Sequence, residues 1–456
     1  MASAAVPRYV DQDLQTAPPG HRFGLYFAMW RAEGWDRAGD EAKLRALAEV
    51  CSYSDDARRL TKELIARQQA TAGALGENAI TLHAQSSSPF MTGIGMEHPL
   101  ENGFAFLNPY GLPYLPGSSI KGVVRSAAEE LALGLWGDRC GWDMVAVWRL
   151  FGLETGASYL TGPARGAPDT LRDLGEERRT AYLDWVEGAA WDRQEVEGLI
   201  RLLLPRGEKQ DAWLAKPAAF LRAVGSEQGA GLPPLDRNNL HLKGALAFWD
   251  AIIEPPDGKL EIDILNPHHG GYYQNGTPPH DAESPIPNYF LTVPPDSRFR
   301  FHVALCEPTF LSDRLTTAWR DLVEAAFTHA FDWLGFGAKT AVGYGQMARD
   351  AVAEQGAEAA AEKRKQEAEL AALTLQQRAL RDLAALFARS QAASLNEAGG
   401  ELAQRLSQLL REAEAWAPGD RRALCDLAGQ IVGFLALSKK KKRERRGQIA
   451  ALRTNG

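Results

Sequence analysis

The chain has 456 residues, 45% hydrophobic and 24% charged, with a net charge of −7; this is the make-up of a soluble globular protein of two or three domains, or of one heavily decorated domain. No run reaches the roughly 18 apolar residues of a membrane span, and the start MASAAVPRYVDQDLQ lacks a basic-then-apolar secretory pattern, so the expected location is cytoplasmic. An acidic whole does not favour nucleic acid, but the charge is uneven: residues 439–446 read KKKKRERR, seven basic and one acidic. Any nucleic-acid contact must therefore be local, through a basic groove or backbone amides.

Cys51, Cys140, Cys306 and Cys425 are far apart and form no CxxC pair. The reading is four reduced, mostly buried thiols, with no disulfide framework, metal or other cofactor.

In chain order, residues 1–75 are expected to be helical, with helical spacing of Leu, Ala and Val at Asp40–Val50 and Asp55–Ala72. A strand follows at Ala79–Ser86, where Ile80, Leu82 and Ala84 alternate with Thr81, His83 and Gln85. A Gly- and Pro-rich stretch leads to a helix at Ser118–Leu133, with Ser118 or Ser119 expected to cap its first turn. Residues 135–240 read as a mostly helical, Trp-bearing insertion. Strands resume at Gly244–Ile253, Lys259–Leu265, Tyr289–Val293 and Arg298–Cys306, then an amphipathic helix at Leu311–Leu334, a glycine-rich turn at Gly335–Gly345, and a closing strand near Tyr344–Ala348. Without insertions the order is βαββαβ, which predicts an α+β fold with a ferredoxin-like, RRM-like core spanning 76–350. Residues 351–456 read as a helical extension: one long helix to about 392, helices at Glu401–Trp416 and Arg421–Leu437, and KKKKRERR as a contact for phosphates or, preferred, a solvated, disordered end.

Four segments carry chemistry. GLPYLPGSSIKGVVR (Gly111–Arg125) opens a helix, whose amides and dipole favour an anion. Ser118, Ser119 and Lys121 lie at that end, and Arg125 shares the Lys121 face. The bland alternative is an ordinary capped helix with a solvated Lys–Arg face. GFGAKTAVGYG (Gly335–Gly345) has four glycines in eleven residues, which permits a nest of amides for phosphate, with Lys339, Thr340 and a stacking Tyr344 beside it. It is no nucleotide-binding P-loop, because Ala338 stands where glycine is needed and the helix precedes the loop. The alternative here is a plain helix-to-strand connection. The loop Asn266–Asp281, with His268, His269 and His280, matches no metal-ligand spacing and reads better as an RNA- or partner-facing aromatic loop. His98 is a candidate general base, but more simply a hydrogen-bonded loop residue.

Together these segments resemble the RAMP superfamily of CRISPR-associated proteins. Leu115–Arg125 and Gly335–Gly345 look like its two signatures. GALAFWDA (Gly244–Ala251), DILNPHHGGYY (Asp263–Tyr273), PIPNYFLTV (Pro285–Val293) and the stretch from His98 look like the subunit-six branch of the type III-B, or Cmr, effector complex. The resemblance implies a non-catalytic subunit in antiviral defence that binds the 3′ part of a guide CRISPR RNA and meets target RNA only indirectly. It also implies contacts with the backbone RAMP subunit, the small helical subunit and another RAMP subunit. By motif, RNA binding falls to Ser118, Ser119, Lys121 and Arg125, and to Gly335, Gly337, Lys339, Thr340, Gly343, Tyr344 and Gly345. The competing expectation is a metal-independent endoribonuclease using His98 or His268 as base, with Tyr272 or Lys121 assisting.

Overall fold

The computed structural model describes residues 2–7, 9–10, 14–99, 102–154, 160, 169–188, 191–225, 232–265, 275–276, 278 and 287–454. The chain divides into two compact units, Met1–Glu354 and Gln355–Gly456.

In the first unit, α1 (Asp40–Cys51) and α2 (Asp55–Leu75) each open on aspartates, which suit a helix N-terminus. Ser54 caps α2 by accepting from the Ala57 amide at 3.2 Å. The principal sheet has four strands: β1 (Ala79–Ser86), β3 (Leu246–Phe248), β7 (Arg298–Leu305) and β8 (Met347–Arg349). Their spatial order is β8-β1-β7-β3, with every neighbouring pair antiparallel. Between β1 and β3 the chain makes β2 (Leu112–Leu115) and α3 (Gly117–Leu133). Between β7 and β8 it makes α9 (Asp313–His329), capped by Ser312. The expected single strand at 244–253 is two pieces, β3 and β4 (Ala251–Ile252), and β4 leaves the sheet to pair with β2. The strands β5 (Glu261–Leu265) and β6 (Asn288–Thr292) pair with each other. The histidine-bearing loop between them falls almost entirely outside the described residues, His268, Tyr272 and His280 included.

Strand alternation gives the sheet two unlike faces. On one, Phe301 pairs across from Leu82, and Phe299 from Ala84. Phe301 packs its ring against Phe327 and Phe331 (5.3 and 5.8 Å between centroids), so α9 covers this face, and α3 packs on α9. The other face carries Thr81, His83, Arg300 and His302. Here His83 and His302 are buried, and α2 packs against β1 and β7. The insertion folds as α4 (Met144–Phe151), α5 (Asp169–Glu187), α6 (Arg193–Leu203), α7 (Glu208–Leu214) and α8 (Pro217–Gly225). Trp148, Tyr182, Trp185, Trp213 and Phe220 fill its interior, continuous with the core of the sheet.

The second unit departs from expectation twice. The long helix after 350 is two, α10 (Ala351–Ala372) and α11 (Leu375–Ala392). Thr374 breaks it with a capping box: its hydroxyl accepts from the Gln377 amide, and its own amide donates to the Gln377 side chain. Then follow α12 (Glu401–Glu412), α13 (Pro418–Phe434) and α14 (Lys439–Thr454). The KKKKRERR run is therefore helical, because Ile449 and Leu452 at the far end of α14 bury themselves in the unit's core. All four cysteines are free, but Cys140 and Cys306 are exposed rather than buried.

The polar sheet face makes the first unit acid-sensitive. Burial pushes the His302 imidazole down to about 4, with His83 and Arg300 adding repulsion. Burial and then Arg300 lower His83 as well. A folded-state pKa below the unfolded value contributes stability above pH 6.5, which is lost as pH falls through the folded value. Urea unfolding of the wild type should weaken between pH 6.5 and 4.5, and His302→Gln should flatten that loss by up to about 1.4 kcal/mol per pH unit. An unchanged pH dependence in the variant would contradict the account.

Candidate nucleic-acid interface

The loop 335–345 begins where α9 loosens into a π-helical turn, Ala330–Leu334. Gly335, Gly337, Gly343 and Gly345 all have positive φ (68°, 88°, 95° and 72°), as the sequence predicts. Two of the reasons differ from expectation. A methyl on Gly345 would overlap the Phe336 carbonyl, and one on Gly337 would overlap the Met91 carbonyl. These glycines let the loop press on its own backbone and on residues 89–91; they do not open it to a ligand. The neck is tied by the Phe336 amide donating to the Gly345 carbonyl (2.9 Å) and the Gly345 amide donating to Pro89 (2.8 Å). Phe336 is fully buried, 5.1 Å from the Phe301 ring.

The free donors lie elsewhere in the loop. Lys339 adopts the left-handed conformation (φ 61°, ψ 32°) and starts a 3-10 turn, Thr340–Val342. The carbonyls of Lys339 and Thr340 accept from Val342 and Gly343 within that turn. Among the described residues, the amides of Lys339, Thr340 and Ala341 have no acceptor. Three successive free amides behind a left-handed residue form a concavity suited to an anion. The Lys339 ammonium makes no ion pair among the described residues, and Lys339 and Thr340 are half-buried. Tyr344 is already engaged: its hydroxyl donates to the Asp263 carboxylate at 2.7 Å, and burial with that carboxylate raises its pKa to about 12.

The start of α3 is built differently from expectation. Neither Ser118 nor Ser119 caps it; both are exposed, and Pro116 occupies the N-cap position. The Gly117 amide donates instead to Oδ1 of Asp250, 2.8 Å away. A carboxylate thus sits where the helix dipole would favour a phosphate, so the anion grip read into this helix end is taken. Gly117 is required there, since a Cβ would overlap the Phe248 carbonyl. Lys121 is half-buried, and among the described residues its ammonium has no hydrogen-bond or ion-pair partner. Burial, then repulsion from Arg125, lowers its pKa. Arg125 is committed to the fold: its Nε donates to Glu129 at 2.9 Å. Glu130 beside it binds Arg178 and His329, both at 2.9 Å, which joins α3, the insertion and α9.

No hydrogen bond or ring contact links residues 117–125 directly to 335–345 among those described. Register places both in the same half of the sheet. The loop precedes Met347, which pairs with the last residue of β1, Ser86. Asp250, which holds the start of α3, lies beyond β3, between the residues that bond His302 and Arg298. They belong to opposite edges of the four-stranded sheet, whose outer strands lie about 14 Å apart at about 4.8 Å per spacing. Trp333, 60% exposed, stands two residues before the loop with its ring 4.4 Å from that of Trp136. The sequence marks Trp136 only as one tryptophan of the insertion, and Trp333, in a π turn, carries no periodic signal.

The family model of the RAMP superfamily matches residues 84–348, more than half of the chain. The chain belongs to the RAMP superfamily. It is 29% identical over 287 residues to the CRISPR system Cmr subunit Cmr6 of Pyrococcus furiosus, covering 59% of this chain and 68% of that one. The crystal structure of Cmr6 from Pyrococcus furiosus aligns at 25% identity over 59% of this chain and 97% of that one, with a TM-score of 0.25. A chain of a type III-B Cmr-beta complex bound to cognate target RNA aligns at 15% identity over 68% and 72%, with a TM-score of 0.35. The RAMP match runs from Ala84 in β1 to Ala348 in β8, so both signature segments lie inside it.

The endoribonuclease candidates fare unevenly. The His98 ring stacks on Phe23 at 3.8 Å and is hydrogen-bonded to the Phe23 carbonyl, a packing role; His268 and Tyr272 lie outside the described residues. No group of three metal-ligating side chains occurs among the described residues, and no helix among them is long and apolar enough to cross a membrane.

The loop's geometry makes a direct prediction. Gly345→Ala combines a forbidden contact with a left-handed φ and should cost more than about 3 kcal/mol in urea unfolding. Gly343→Ala, where a Cβ meets open space, should cost only about 1–2 kcal/mol from backbone strain. Equal costs would show that the neck does not hold the loop.

Proposed function

We propose that this RAMP protein is an RNA-binding, non-catalytic subunit of a type III-B CRISPR effector complex, and that it holds the 3′ part of the guide RNA by its phosphates. The observation that carries the reading is the row of unsatisfied amides at Lys339, Thr340 and Ala341 beside an unpaired lysine, inside a family signature. The similarity to Cmr6 supports the choice of complex, and with it the expected neighbours: a backbone RAMP subunit, a small helical subunit and a further RAMP subunit. The strand order β8-β1-β7-β3, with α3 and α9 as the two crossovers, supports a ferredoxin-like core.

Physically, the loop amides and Lys339 take one phosphate, and Lys121 takes another across the sheet end. Lys121 fits this role because a half-buried ammonium with no counter-charge gains from an anion that supplies one. Ser118 and Ser119 present exposed hydroxyls to the same strand. Arg125 assists by fixing Glu129, and Gly335, Gly337, Gly343, Gly345 and Tyr344 by fixing the loop. Trp333 offers an exposed ring on which any base can stack. Nothing in this set discriminates base edges, as a subunit serving many guide sequences requires; sequence is left to base pairing.

Lys121→Ala with Lys339→Ala should weaken guide retention in the purified complex to the same extent for guides of different spacer sequence. Full RNA occupancy in that double variant would refute the phosphate grip. Incubated with repeat-containing RNA without metal, the purified protein should leave the RNA uncut; site-specific cuts lost in His98→Ala or His268→Ala would favour the endoribonuclease instead.

A further inference from the structure

The second unit carries a charge arrangement that its own stability does not explain. Helix α14 begins at Lys439, and seven of its first eight residues are cationic. The dipole at a helix N-terminus favours anions, and α1, α2 and α9 obey this by opening on Asp40, Asp55 and Asp313. Helix α14 does the opposite. It also places like charges four apart at Lys439 and Arg443, Lys441 and Arg445, and Lys442 and Arg446, which repel on a helix face. Its only acidic residue in this stretch is Glu444. Among the described residues, none of these cations makes an ion pair; the ion pairs within this unit are Lys363–Glu367 and Arg453–Asp426.

The helix nevertheless packs. Ile449 and Leu452 are buried, and Arg445 donates to the Ser407 hydroxyl of α12. This packing leaves a cleft of about 450 Å3 between α12 and α14, lined by Arg411, Lys441 and Arg445 among others, with polar Gln404, Ser407 and Gln448. A second cleft of about 500 Å3 shares Gln404 and Arg411 and adds Arg389 and Arg405. Three carboxylates line the pair, Glu444 in the first and Asp382 and Glu401 in the second. Cations therefore outnumber them; the exposed Lys439, Arg443 and Arg446 lie on the opposite face of α14.

We propose that this pair of clefts is a second RNA-binding groove, in the C-terminal unit, which engages the ribose-phosphate backbone without reading bases. A polyanion there offsets the repulsion between Lys441 and Arg445, the like-charge pair of α14 that lines the cleft, and suits the helix dipole. Protein partners are disfavoured by the lining, because neither cleft has an aromatic residue to anchor one. The same lack of aromatics means phosphate contact, not base stacking. The groove is separate from the Lys121 and Lys339 site and stands without it.

The test is binding of labelled single-stranded RNA to the full chain over a range of salt. Replacing Lys441 and Arg389, which line the two clefts, by Gln keeps helix-compatible side chains and should flatten the slope of log affinity against log salt by about 1.4, from about 0.7 per lost phosphate contact. Arg411→Gln, an exposed change inside the cleft, should lower it by about 0.7. Lys121→Ala with Lys339→Ala, measured in parallel, reads the other site separately. Unchanged affinity and slope in both C-terminal variants, with the thermal midpoint retained, would overturn the groove and leave an acidic protein surface as its occupant.

Discussion

The neck of the loop 335–345 is the constraint on which the rest of the core depends. Two backbone hydrogen bonds, from Phe336 to Gly345 and from Gly345 to Pro89, close a loop that only glycine permits to approach so tightly. Phe336 then plugs into the aromatic cluster of Phe301, Phe327 and Phe331. The loop is thereby fixed to the core of the sheet at both ends. Its middle, Lys339 to Ala341, is left with donors that the fold does not use. A polar group that a fold leaves unsatisfied is available to a ligand. Because the donors are held by the neck rather than by a flexible side chain, little ordering is needed when an anion arrives.

The N-terminal helices and the insertion serve this core from two sides. Helix α2 packs against β1 and β7, whose polar face holds buried His83 and His302. That face is covered rather than open to solvent. The grip proposed above therefore lies off that face, at the loop and Lys121. On the other side, Arg178 of α5 ties into Glu129 and Glu130 of α3. The insertion thus braces the helix that carries Lys121, while Glu129 of that same helix pairs with Arg125.

Much of the core was legible in the sequence because its signals are local. Ala79–Ser86 has strict alternation and folds with those bounds, and Arg298–Cys306 does so within a residue. The positive φ of the four loop glycines also follows from residue type alone. What was hidden depends on distant partners. Asp250 caps α3 from 133 positions away, so the serines at the expected cap looked sufficient. Glu129 claims Arg125 through a helix pair that reads equally well as a solvated face. Thr374 was passed over because the Ala- and Glu-rich run around it has strong helix propensity on both sides. The basic run was read as disordered since its charge repels itself, and the two apolar residues that anchor it come only at Ile449 and Leu452.

The central claim is that an RNA backbone runs across the sheet end between Lys121 and the amides of 339–341. An RNA–protein crosslink map of the assembled complex, loaded with guides of different spacer sequence, tests it most directly. The account predicts crosslinked peptides containing 118–121 and 337–342, at the same guide positions whatever the spacer. Crosslinks that avoid both segments, or that move with spacer sequence, would contradict it.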